Sequence, residues 1–92
     1  MYYISTESPL INIERVKQRV KLGGHPVAEK KIKSRYFNSL ENLKSAALLT
    51  YRTFVFDNSG AKPNLILEVF KGEEVTFYHD EIPHWVDKYL LA

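Results

Sequence analysis

The four residues Gly23-Gly24-His25-Pro26 constrain the fold most, because they break what would otherwise be one continuous run of helical periodicity. Upstream, in LINIERVKQRVKL, Ile13, Val16 and Val20 recur at the three-to-four spacing that gathers apolar side chains on one helix face. Downstream, Ile32, Tyr36, Leu40, Leu43 and Ala47 keep the same step from Val27 to about Leu49. Gly23 suits the left-handed conformation that commonly ends a helix. The pattern predicts a hairpin of two amphipathic helices over about residues 10–49.

The flanking segments read as strands. YYIS is short, aromatic and β-branched, and Pro9 closes it, so a strand is expected over residues 2–6. In TYRTFVFD the centre Phe54-Val55-Phe56 is apolar without alternation, which predicts a strand covered on both faces. LILEVF and VTFYH, joined by KGEE, form an expected antiparallel hairpin after the loop NSGAKPN. Pro83 fits the first turn of a closing helix carrying Trp85, Val86, Tyr89 and Leu90. The order strand, helix, helix, three strands, helix is that of an α/β chain with a small mixed sheet, residues about 50–92 holding the sheet strands and the closing helix. At 92 residues, without repeat or linker, one domain is expected.

Charge is uneven. Thirteen Lys+Arg oppose eleven Asp+Glu, too small an excess to name nucleic acid as partner. Yet Arg15, Lys17, Arg19, Lys21, Lys30, Lys31, Lys33 and Arg35 face only Glu29 between positions 15 and 35. No cysteine is present, which excludes disulfides, thiolate metal sites and a nucleophilic thiol. His79 and His84 flank Asp80 and Glu81 without the spacing that imposes one coordination shell, so no metal site is expected. No segment has the roughly 18 apolar residues of a membrane span and no basic leader opens the chain, so a cytoplasmic location is the expectation.

Two residue groups could carry chemistry. Arg15 and Arg19 share a helix face, and with Arg35 from the next helix they could converge on one polyphosphate, since guanidinium groups bind phosphate oxygens bidentately. The alternative is that they are solvated helix faces. His25 could donate to an anion or be a plain loop residue. Asp57, Asn58 and Ser59 end the most apolar strand, where α/β sheets place ligands, and they are equally good turn formers.

The run RVKQRVKLGGHPVAEKKIKSRYFNSLENL followed by FVFDNSG resembles the carboxyl-terminal part of the zeta-toxin-like P-loop kinases, over about residues 1–70, with a weaker echo in IPHW. Members read R-V, then G-G-H, K-I and R-Y, an S-L-x-N-L run and D-N-S. The resemblance implies that the segment around Gly24 and His25 is a lid over ATP phosphates. Arg19 and Arg35 would be its phosphate clamps and Arg15 a further candidate. Asp57 and Asn58 would lie near the nucleotide base or the end of the last parallel strand.

Two departures qualify it. Val27 is followed by Ala28, with proline at position 26, where the family commonly has Val-Pro. No G-x-x-x-x-G-K-S/T can be formed from Gly23, Gly24, Gly60 and Gly72, so the phosphate cradle and its Mg²⁺ ligand are missing.

The resulting expectation is one incomplete domain: a carboxyl-terminal lid piece of an ATP-dependent kinase, inactive alone, with ATP and magnesium belonging to the complete parent domain and neither bound here. Its expected partners are a separately encoded amino-terminal half, an antitoxin-like protein, or further copies of itself. A small basic nucleic-acid-binding or protein-interaction module is the alternative, with nucleic acid disfavoured because aromatics do not interleave with the cations except at Tyr36 and Phe37.

Overall fold

The computed structural model describes all 92 residues. The elements run β1 (Tyr2–Ser5), α1 (Pro9–Lys21), α2 (Glu29–Leu49), β2 (Arg52–Asp57), β3 (Asn64–Phe70), β4 (Glu74–Phe77) and α3 (His84–Val86), which continues into a π-helical turn (Asp87–Leu91). They form an α/β fold around one mixed sheet of order β1-β2-β3-β4.

Connection length sets strand direction. The whole helical hairpin lies between β1 and β2, which pair parallel with Tyr2 opposite Phe54 and Ser5 opposite Asp57. Short links join β2 to β3 and β3 to β4, and both pairs are antiparallel. The β3–β4 turn puts Lys71 (φ 53°) and Gly72 (φ 70°) in the left-handed region that a tight hairpin needs. A side chain at Gly72 would also meet the Leu48 carbonyl oxygen at 2.9 Å. A bulge at Val55/Phe56 displaces Ile66 from the ladder, so that Ile66 and Leu67 are both buried.

Local chemistry explains the helix limits. The Ser8 hydroxyl caps α1 by accepting the Leu10 amide at 3.1 Å, and Pro9 occupies the first turn, where a missing N–H costs nothing. α1 closes as the Gly23 and Gly24 amides reach the Val20 and Arg19 carbonyls, with Gly23 at φ 99°. α2 begins at Glu29, two residues later than its periodicity suggests. No side chain caps it, Ala28 is extended, and the first acidic residue suits the positive end of the helix.

α2 supplies Tyr36, Leu40, Leu43 and Ala47 to one core with Val55, Ile66, Leu67, Val69, Trp85, Val86 and Leu90. The expectation that β2 is covered on both faces is wrong. Burial alternates along it: Thr53, Val55 and Asp57 are buried, while Phe54 and Phe56 lie half-buried on an outer face that no helix covers. There Tyr2 stacks on Phe54 at 5.4 Å, and the Arg52 guanidinium lies between the Phe54 and Phe70 rings while pairing with Glu68 at 2.8 Å. The closing helix also differs from expectation: after Pro83 it makes one α turn and widens into the π turn, keeping Trp85, Val86 and Leu90 buried.

Candidate anion-binding cleft

An open cleft of about 1070 Å³ separates the helical hairpin from the carboxyl ends of the two parallel strands. The end of β1 contributes Ser5, the residue after it Thr6, and the residue after β2, Asn58, stands beside them. α1 contributes Asn12, Arg15 and Arg19, the loop Gly24 and His25, and α2 Arg35 and Tyr36. The end of the parallel pair leaves the crevice there, because the chain departs from β1 into α1 and from β2 into the loop before β3, and the strand-end groups stay uncovered.

The charge of the wall is one-sided. Arg15, Arg19, Arg35 and His25 line the cleft and no aspartate or glutamate does. The molecule's two ion pairs are Lys17–Glu29 at 3.4 Å and Arg52–Glu68 at 2.8 Å, so no carboxylate neutralises any cleft arginine. Three uncompensated guanidiniums facing one crevice attract an anion with several oxygens and repel cations. The donor set therefore suits phosphate oxygens and does not suit a resident Mg²⁺, which requires oxygen ligands such as carboxylates.

Hydrogen bonds fix the wall on the strand side. Tyr36 Oη donates to the Thr6 carbonyl at 2.6 Å, tying α2 to the end of β1. Thr6 Oγ1 lies 2.8 Å from Asn12 Oδ1 and 2.9 Å from the Ser8 carbonyl, joining the same strand end to α1. Arg15 Nη2 donates to the Gly60 carbonyl at 3.2 Å. Burial pushes the Tyr36 phenol up to about 12, with smaller contributions from the charges of Tyr89, Tyr3, Asp57 and Glu7. Tyr36 is thus a neutral donor at physiological pH.

Of the residues singled out from the sequence, Arg15, Arg19, Gly24, His25, Arg35 and Asn58 meet in the cleft. Asp57 does not. Its side chain is buried behind the wall, with Oδ2 accepting Trp85 Nε1 at 2.8 Å and Oδ1 accepting the Ser59 amide at 2.8 Å. Ser59 Oγ in turn accepts the Glu7 amide at 2.8 Å. His79 turns its ring back on Glu81, with Nδ1 3.0 Å from the carbonyl and 3.2 Å from the amide. Thr6 and Asn12 were not foreseen. Asn12 shares the helical stripe of Arg15 and Arg19 at steps of three and four, a signal present in the sequence.

Comparison with family models, curated proteins and solved structures finds no match to this chain. No helix is long and apolar enough to cross a membrane.

Proposed function

We propose that the cleft is a phosphate-binding lid of the zeta-toxin-like P-loop kinase kind, in a chain that lacks the phosphate cradle and transfers no phosphate by itself. The observation that carries this reading is the meeting of Arg15, Arg19, Arg35 and His25 in one crevice without an acidic residue. The order of the R-V, G-G-H, R-Y and D-N-S motifs supports it. In such a lid, Arg19 and Arg35 grip phosphate oxygens from the two helices and stabilise the charge that spreads over a transferring phosphoryl group. Positioning and electrostatics are most of that catalysis, so a lid without a cradle binds phosphate and turns nothing over.

Titration with inorganic tripolyphosphate tests the site. Binding should weaken steeply with salt, and Arg19→Ala and Arg35→Ala should each reduce affinity about tenfold. Affinity equal to that of the parent chain in both variants removes these residues from the role. ATP turnover proportional to protein concentration would overturn the inactive-alone part of the reading.

A second reading, self-association, is favoured by the uncovered side of the sheet. β1 has one neighbour, and the Met1 and Ser5 carbonyls are used by β2, so alternation turns the backbone groups of Tyr2 and Ile4 to the open edge. The strand carries no charge, and on the adjoining face Glu68 neutralises Arg52. Antiparallel pairing of two β1 strands centred on Tyr3 sets Tyr2 opposite Ile4 of a second copy and satisfies the free groups of both. Light scattering at roughly tens of micromolar should give a dimer that Ile4→Lys dissociates. A monomeric parent chain at that concentration rules this reading out.

A further inference from the structure

We propose that Asp57 and Trp85 are positioning residues for the cleft, linked to its wall by a hydrogen-bond relay that starts at the buried Trp85 of the closing helix and runs out to the surface. The relay's effect on ligand affinity rests on the phosphate-binding reading above, whereas its geometry does not.

The relay can be followed atom by atom. Trp85 Nε1 donates to Asp57 Oδ2 at 2.8 Å, and the Ser59 amide donates to Asp57 Oδ1 at 2.8 Å. Ser59 Oγ then accepts the Glu7 amide at 2.8 Å, one residue before the Ser8 cap of α1. The same turn presents the Gly60 carbonyl to Arg15 Nη2 and the Asn58 amide to the Ser5 carbonyl, at 3.2 and 2.8 Å. One carboxylate therefore holds the turn that holds the start of α1, the Arg15 guanidinium and Asn58.

The residue types fit this task and not simple packing. Indole Nε1 is a donor only, and an ionised carboxylate is an acceptor with two oxygens, so Asp57 serves two donors at once. An amide at position 57 would turn an NH₂ towards one of them. Both partners are buried, Trp85 fully, and a charge-assisted bond out of water is stronger and costlier to break. An apolar side chain would fill the Trp85 site without supplying the donor. The Tyr3 ring lies 6.0 Å from the Trp85 ring, so the indole also touches the strand that ends at the cleft.

Removing the donor should loosen a wall that Trp85 does not itself line. The test uses Trp85→Phe, Ser59→Ala and the double variant, with Val69→Ala as a core variant that lowers stability outside the relay. Without ligand, amide exchange at Ser59 and Glu7 should rise about tenfold in Trp85→Phe relative to Val69→Ala matched for global stability. With inorganic tripolyphosphate, Trp85→Phe and Ser59→Ala should each weaken binding about fivefold, and the double variant no further than either alone. Val69→Ala should leave the affinity of the folded protein unchanged.

Unchanged exchange at Glu7 and Ser59 in Trp85→Phe overturns the relay, and so do losses of affinity that multiply in the double variant. If the parent chain binds no tripolyphosphate, the phosphate reading fails by itself and the exchange data still decide the relay. Should Trp85→Phe not fold, Asp57→Asn decides the same point: faster Glu7 exchange supports the relay and parental exchange refutes it.

Discussion

The two helices of the hairpin are alike in charge and unlike in attachment. α2 buries Ile32, Tyr36, Leu40, Leu43 and Ala47, and is bonded to β1 through Tyr36 and through the contact of the Tyr3 and Ser39 hydroxyls at 2.9 Å. α1 buries Ile13 alone and is held at its amino end by Ser8, Asn12 and Arg15. Towards its carboxyl end it has one exposed ion pair, Lys17–Glu29, and then residues 21–31, every one of them exposed. The cleft thus has a firmly anchored jaw carrying Arg35 and a loosely anchored one carrying Arg15 and Arg19. On the proposed phosphate-binding reading, the loosely anchored jaw is the side that would yield to admit and release a polyanion.

The largest effect should come from the firmly anchored jaw. Leu40→Ala empties a nearly fully buried position and should cost about 3–4 kcal/mol in urea unfolding, whereas Ile13→Ala on α1 should cost about 2 kcal/mol, because its surroundings can collapse. Equal costs would mean that the jaws are equally anchored. Next comes Tyr36→Phe, which strips a buried donor from the Thr6 carbonyl and should cost about 1 kcal/mol near neutral pH.

The same substitution carries a pH signature. The folded-state value of the Tyr36 phenol, about 12, lies above its ordinary 10.0. Its contribution is therefore complete below about pH 10 and is lost as pH rises through the folded value. The stability difference between the parent chain and Tyr36→Phe should be constant to about pH 10 and should shrink between pH 10 and 12. A constant difference across that range would show that Tyr36 is not the group titrating. Smallest of all, Lys17→Ala should change stability by less than about 0.5 kcal/mol, since both partners of that pair are more than half exposed. Amide exchange should rank the same regions without mutation, slowest through the core-facing turns of α2 and fastest at His25, Val27 and Ala28, beyond the hydrogen-bonded Gly23 and Gly24 amides. Strong protection at His25 and Val27 in ligand-free protein would reverse the ranking of the two jaws.

What the sequence discloses follows the range of the interaction. The α2 stripe, the Gly23 stop and the β3–β4 turn depend on neighbours a few positions away, and periodicity reads them directly. The outer face was misread because Phe54-Val55-Phe56 is uniformly apolar, and an apolar run cannot tell a face packed by helices from one covered only by neighbouring aromatics. Asp57 does end the parallel strand β2, and D-N-S states that a turn is there, but the partner that fixes its carboxylate is Trp85, 28 positions on. The gathering of Arg15, Arg19 and Arg35 was readable in part, since a hairpin must bring its inner faces together. Their separation from every carboxylate depended on where the acidic residues fell in space.

The parallel pairing of β1 with β2 also governs the order in which the molecule can assemble. The β2–β3–β4 meander and the long helix close short loops, whereas bonds such as Glu7 to Ser59 join residues 52 positions apart and must overcome a much larger chain entropy first. β1 should dock last, onto a hairpin and a helix already formed. Since the cleft lies where β1 ends, it exists only after that final step and is the first feature lost when the strand detaches. Binding a polyanion there would therefore act as a latch on the last piece of the fold, slowing its unfolding while leaving the earlier steps of folding untouched.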